Sequence, residues 1–333
     1  MVAGGVALLR SDGRRRGRTL RHLARRDFSM IRFPFRANPT SALAWVPIYL
    51  GISIAYGFSF LLMKVGLTAF APLQLAFIRI VLGAMTVGVI FIIRGKRLTR
   101  EKNLWWHAFI SGALIVVIPI TSYIFAQERV PSTVAGILSS STPFFALAAT
   151  VFFSRALKPK GSQVIGLVIS FLGVILILGV SSTSAHSDPV GVIMCIGGSF
   201  SFGLGAAYSR KFINLRLGLL DQTLMQLFCA SLLLLPLQFL SFETPHDLNF
   251  GVVMAVLTSG IVALGFANVG LNSLYRYPGV TIASTINYLI PVVAAAAGIL
   301  LLNEKISVNE LLGAAVIIVG LFITQRGKSV GTA

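Results

Sequence analysis

Charge is scarce in this sequence. Only 11% of its 333 residues are Asp, Glu, Lys or Arg, against roughly a quarter in an ordinary water-soluble domain. Acidic residues number just ten while 56% of the chain is hydrophobic, so the outer surface lacks a polar shell and must face lipid. The two cysteines, Cys195 and Cys229, fall inside apolar segments, which suits small packing residues and excludes a disulfide framework or a metal pair. Histidine is equally sparse: His22, His107, His186 and His246 lie in the tail, at helix starts or in loops, with no HExxH, CxxC or nucleophile elbow. These absences speak against an enzyme and call for no cofactor and no metal. An integral-membrane enzyme acting on a lipid or lipid-linked substrate is the rival class, and it would need nucleophile, base or metal ligands converging near a membrane surface.

Basic residues, by contrast, are plentiful, and the formal charge is +18. Their placement argues against nucleic acid as a partner. Ten of the 28 lie in the first 40 residues, as Arg10, Arg14, Arg15, Arg16, Arg18, Arg21, Arg25, Arg26, Arg32 and Arg36, and most of the others fall in alternate loops, as the positive-inside rule requires. Residues 1–40 are expected to be a disordered basic tail. A transit peptide, a cytoplasmic tail, or a start codon placed upstream of a true start at Met30 all fit that composition.

From Trp45 onward the sequence reads as ten apolar segments, at about 45–63, 72–93, 107–126, 132–153, 162–180, 190–209, 221–240, 250–272, 279–301 and 308–324. Each is long enough to cross a hydrocarbon core of roughly 30 Å as a helix. They are too long and too continuously apolar for barrel strands. The expected fold is therefore an all-α integral membrane protein with ten transmembrane helices. Arg94, Lys96, Arg97, Arg100, Lys102, Arg155, Lys158, Lys160, Arg210, Lys211, Arg216, Arg276, Arg326 and Lys328 join the tail on one side, leaving Lys64, Arg129 and Lys305 on the other. That count predicts a multi-pass protein of the inner (plasma) membrane with both termini cytoplasmic, an organellar membrane being the alternative.

A shift of 147 or 148 residues lays the second half on the first: Lys64 on Lys211, Gly51 on Gly198, Gly166 on Gly313, Gly173 on Gly320 and Pro143 on Pro291. Ser307 to Glu310 reads as a capping box opening the last helix. Two five-helix repeats follow, at 45–180 and 190–325. Five is odd, so the second repeat enters the membrane in the opposite sense, which is the arrangement behind alternating access.

Tyr56, Gly57, Ser59, Phe60, Lys64, Gly66, Leu67, Pro72 and Arg79, then Pro131, Ala135, Leu138, Pro143, Gly166 and Gly173, then Ala283, Tyr288, Pro291, Glu304, Gly313 and Gly320 together resemble the drug/metabolite transporter superfamily, in its EamA-type ten-helix form. The resemblance spans residues 45–325. It departs at Tyr56, where the family usually carries tryptophan, and at Ala156, the counterpart of Glu304. It implies an exporter or exchanger with a central cavity lined mainly by helices 1, 3, 4, 6, 8 and 9.

Polar residues on those helices form the candidate substrate site: Ser53, Tyr56, Tyr123, Gln127, Ser140, Ser199, Asn268, Asn272, Ser284, Asn287 and Tyr288. Interhelical hydrogen bonding, worth about 0.6 kcal/mol per contact, is the competing role for each. Lys64, Arg79 and Glu304 are the charge-bearing or gating candidates. A central arginine costs roughly 2.5–3.5 kcal/mol on insertion scales, so Arg79 either holds an anion or gates, or else snorkels or bonds to carbonyls. Headgroup anchoring would account for Lys64 and Glu304. Pro143 and Pro291 are the candidate helix kinks. The cavity so read is polar but largely uncharged. It suits small metabolites, amino acids or related compounds and some drugs as substrate, with the lipid bilayer as surroundings and a monomer or homodimer as the working unit.

Overall fold

Apolar runs in lipid must satisfy their own backbone hydrogen bonds, and helix is the single-segment way to do so. In the computed structural model, which describes residues 42–153, 161–181, 188–213, 216–240, 242–276 and 286–326, the regular structure is helical throughout. The elements are α1 (Ala42–Gly66), α2 (Pro72–Ile93), α3 (Lys102–Gly112), α4 (Ile118–Gln127), α5 (Ser132–Ser139), α6 (Thr142–Phe153) and α7 (Gly161–Ser181). The second half holds α8 (Pro189–Phe212), α9 (Leu219–Leu240), α10 (Phe250–Thr258), α11 (Ala267–Arg276), α12 (Ile286–Leu302) and α13 (Val308–Arg326). Short π-helical stretches, Ala113–Val117 and Ser259–Phe266, fuse α3 to α4 and α10 to α11. Among the described residues, seven helical stretches are long and apolar enough to cross a membrane, and three shorter apolar ones accompany them.

Local chemistry explains the ends. Pro72 and Pro189 occupy first-turn positions, where a missing N–H costs nothing. Asp188 accepts from Val190 N at 2.9 Å and Asn249 from Val252 N at 2.9 Å. The capping box expected at α13 forms, with Ser307 N donating to Glu310 Oε2 at 2.8 Å and Glu310 N to Ser307 Oγ at 3.2 Å. Beyond α12 the chain turns at Asn303, whose φ of 53° is the left-handed geometry that ends helices.

The fourth segment of the sequence reading is two helices. Ser140 and Ser141 bond back to Ile137 O and Leu138 O through both their amides and their hydroxyls, and Pro143 has no N–H to give Ser139 O. The helix therefore stops and restarts at Thr142. The first π-helical stretch also ends just before a proline, Pro119, and widening the turn relieves the clash its ring would make with the carbonyl four residues back. The second starts within one residue of the first after the 147-residue shift.

Packing repeats the same symmetry. Two contacts join equivalent helices of the two halves, α7 with α13 and α2 with α9, and α5 also crosses to α12. Other contacts come as exchanged pairs, among them α6–α8 with α12–α1, α4–α8 with α11–α1, and α2 on the second π-helical stretch with α9 on the first. At the α7–α13 crossing a Cβ on Gly173 would lie 2.7 Å from Gly313 O, and one on Gly320 would lie 2.6 Å from Gly166 O. These glycines serve close helix approach, as small residues do in membranes.

The inside and outside are reversed relative to a water-soluble protein. Val164, Ile165, Val168, Phe171 and Leu172 of α7 are exposed, as are Leu311, Leu312 and Phe322 of α13, while Ser53, Arg79, Gln127 and Ser199 are buried. Apolar outside and polar within is the pattern a lipid solvent selects.

Candidate functional site

Two polar seams run through the bundle, one in each half of the contact pattern. In the first, Tyr56 Oη on α1 donates to Asn268 Oδ1 on α11 at 3.1 Å, and Asn268 Nδ2 donates to Leu264 O in the second π-helical stretch at 2.8 Å. One turn along α1, Ser59 Oγ accepts from Arg79 Nη2 at 2.6 Å. In the second seam, Tyr123 Oη on α4 and Ser199 Oγ on α8 lie 2.7 Å apart, and Ser199 Oγ also donates to Leu138 O at 3.1 Å, at the helix break. Phe60, beside Ser59, meets the Tyr123 ring edge-on with centroids 5.5 Å apart. The two seams thus face each other across one aromatic contact.

Gln127, one turn beyond Tyr123, is fully buried, and neither Oε1 nor Nε2 has a hydrogen-bond partner among the described residues. A buried amide left this way costs about 1–3 kcal/mol.

Above the seams the helix ends are tied together. Lys64 Nζ, at the end of α1, donates to Gln127 O at the end of α4 and reaches Val130 O at 3.5 Å. Glu304, just past α12, accepts from Ser132 N at 2.8 Å, Thr133 N at 3.0 Å and Thr133 Oγ1 at 2.6 Å. Its carboxylate therefore caps α5 from the other half of the molecule, meeting the unpaired amides and positive end of that helix. Both residues cross-link helix ends.

The expected site residues divide clearly. Tyr56 joins Asn268, and Tyr123 joins Ser199; Ser53 and Ser140 turn to their own helices, at Tyr49 O and Ile137 O. Tyr288 sets its ring against Phe322 of α13 at 6.5 Å, with Asn287 beside it in α12. The side chain of Asn272, and Ser284 altogether, lie outside the described residues. Pro143 sits in the first turn of α6 and Pro291 inside α12. Gly203 and Gly205 press against α6 and the first π-helical stretch.

Sequence reasoning missed the α5 terminus as the partner of Glu304, because a residue's partner 172 positions away leaves no local trace. It also missed Gln226, whose Nε2 donates to Ser111 Oγ at 3.0 Å and Ser209 Oγ at 3.1 Å. The repeat shift was a usable signal, for 79 plus 147 is 226. On a loop, Arg129 Nη1 donates to Asp188 Oδ2 at 2.8 Å, and that bond, with the amide of Val190, holds the Asp188 carboxyl below its usual range.

The EamA-like transporter family matches residues 43–179 and again 189–326. The chain belongs to that family. It is thus a multi-pass membrane transporter, an EamA-type member of the drug/metabolite transporter superfamily built from two copies of one domain. Among its relatives, the inner membrane transporter YedA of Escherichia coli (strain K12) is 24% identical over 278 residues, covering 83% of this chain and 88% of its own. A probable amino-acid metabolite efflux pump of the same strain is 25% identical over 291 residues, covering 83% and 93%. A solved crystal structure shares the fold with a TM-score of 0.60 at 16% identity, over 85% of this chain and 96% of its own.

Proposed function

We propose that this EamA-type protein exports or exchanges small metabolites, amino acids or related compounds, by alternating access between two inverted five-helix repeats at 45–180 and 190–325. The single observation that carries the reading is the helix-pairing pattern, whose largest contacts survive exchange of the two halves. Related units inserted in opposite senses can trade conformations, opening a pathway between them first to one face and then to the other. The ties at Lys64 and Glu304 close one end of that pathway, directly above Gln127 and the Tyr123–Ser199 seam.

A ten-span topology in an inner membrane, both termini cytoplasmic, is supported by which ends meet. Lys64 with Gln127, Glu304 with Ser132, Arg129 with Asp188, and Gln74 with Glu243 O at 2.8 Å all join segments assigned to the outer face. Lys96 with Asp221 and Lys211 with Phe153 O join segments assigned to the inner face. The relative bearing an amino-acid metabolite efflux name favours the same solute class, and so do two seams made of hydroxyls and amides. The described acidic residues Glu128, Asp221 and Glu304 stand at helix ends, so transport is expected to proceed without a dedicated proton relay.

The test is export from overproducing cells and counterflow in vesicles, over an amino-acid and drug panel, with Tyr123→Phe, Gln127→Ala and Asn268→Ala. Altered solute preference in these variants is expected. Unchanged profiles in all three would remove the seams from the pathway, and transport that stops whenever the proton gradient is collapsed would overturn the uncoupled reading.

A further inference from the structure

With one exception, the two seams are neutral. Arg79 is 1% exposed, and its guanidinium carries its charge at neutral pH. Of its five N–H bonds, one is spent, on Ser59 Oγ at 2.6 Å, while Nε and Nη1 have no partner among the described residues. The ion pairs found among those residues are Lys96–Asp221 and Arg129–Asp188, so no described carboxylate lies within 4 Å of this cation.

A structural arginine would be expected to finish its hydrogen bonds, because a buried and unpaired charge is among the costliest things a membrane interior can hold. The same fold shows how a neutral side chain fills this place. At the repeat-equivalent position Gln226 also sits beside a π-helical stretch, and there two serine hydroxyls meet the amide nitrogen at 3.0 and 3.1 Å. A Cβ on Gly112 would lie 2.7 Å from Gln226 O, and one on Gly260 would lie 3.0 Å from Arg79 O, so the two backbones approach their neighbours alike. Packing alone is satisfied by glutamine; the first half keeps a cation with donors to spare.

The α2 helix lies on the second π-helical stretch, α1 brings Ser59, and one turn away Tyr56 holds Asn268. We propose that Arg79 anchors a carboxylate of the transported solute, with Ser59 orienting the guanidinium and the Tyr56–Asn268 pair beside it. The planar guanidinium fork matches a carboxylate in shape. One cation neutralises one carboxylate, whereas a phosphate dianion would leave a buried negative charge unmatched. Substrates are therefore carboxylate-bearing metabolites, not their amine counterparts. This rests on the transport reading above.

The experiment compares matched probes on the purified full chain: L-phenylalanine and 3-phenylpropanoate, which carry the carboxylate, phenethylamine, which lacks it, and phenyl phosphate. Unfolding is read with a thiol-reactive fluorophore, since Cys195 and Cys229 are both buried and free. The two carboxylates are expected to raise the melting temperature of the native protein, and phenethylamine and phenyl phosphate to leave it unchanged. Arg79→Gln is expected to raise the half-saturating carboxylate concentration about tenfold or more. Arg79→Lys keeps the charge without the fork, so it is expected to bind the carboxylates more weakly while still rejecting phenethylamine. Should Arg79→Gln not fold, that retained selectivity in Arg79→Lys decides the matter. Equal stabilisation by phenethylamine, stronger stabilisation by phenyl phosphate, an unaltered response in Arg79→Gln, or no carboxylate response in the native protein would each overturn the anchor. Failure of the transport reading looks different: vesicles containing the protein would then move no solute of any class.

Discussion

Removing the carboxylate at position 304 should open the end of the bundle that it closes. Glu304 accepts three hydrogen bonds at 2.6–3.0 Å from the first two residues of α5, across the boundary between the two halves. Loss of a helix cap costs about 0.5–2 kcal/mol, and hydrogen bonds to a charged group contribute about 1.5–3 kcal/mol. Water replaces some of that when the end is open, so about 2–3 kcal/mol is a fair measure of the bias toward the closed end. At 1.4 kcal/mol per tenfold, Glu304→Ala should shift the equilibrium toward opening by roughly 30- to 150-fold. A cysteine at position 127 would report it, because Lys64 holds the backbone oxygen of that residue and not its side chain. With Cys195 and Cys229 first replaced by alanine, a membrane-impermeant maleimide added from outside should label Gln127→Cys slowly, and far faster once Glu304→Ala is added. Glu304→Gln should fall between, since its amide keeps one acceptor but turns a donor toward donors. Equal labelling rates in all three, with each protein monodisperse, would refute the argument.

Other perturbations read other parts of the structure. Gly173→Ala forces a Cβ to 2.7 Å from Gly313 O and should cost about 1–3 kcal/mol; Gly51→Ala meets nothing within 4 Å and should leave the melting temperature in place. Tyr123→Phe deletes the bond to Ser199 and should change transport about two- to tenfold, from a hydrogen bond worth about 0.5–1.5 kcal/mol, with counterflow as the measurement. Asp188 is held below its usual range by Arg129 and Val190 N, so what its ion pair contributes is present above about pH 4 and lost as pH falls through the depressed value. Acid unfolding profiles of the native protein and Asp188→Asn should therefore diverge above about pH 4 and converge below it, by a small margin at so exposed a site.

The glycine spacing in α7 and α13 was legible because close helix contact needs small residues on one face, and the capping box at Ser307 because its parts are three residues apart. The break at Ser140–Ser141 was only partly legible. Pro143 marked the neighbourhood, but one of the two hydroxyls that hold the turn belongs to Ser140, first read as lining the site. Gln127 was chosen as one polar residue among many; its isolation as a buried amide without partners appears only when α4 is packed against its neighbours.

Composition and the 147-residue shift by themselves determined that the chain lives in lipid, is helical, and comes in two halves, because those properties depend on the average polarity and the period of the chain. What the tertiary structure decided is which polar groups are finished and which are left over. Arg79 and Gln226 occupy equivalent places, yet one has nitrogens without partners and the other an amide nitrogen bonded twice. That difference depends on hydroxyls at Ser59, Ser111 and Ser209, brought from other helices over separations of 17 to 115 residues. No local pattern encodes such a meeting, since it exists only once the helices have chosen their neighbours.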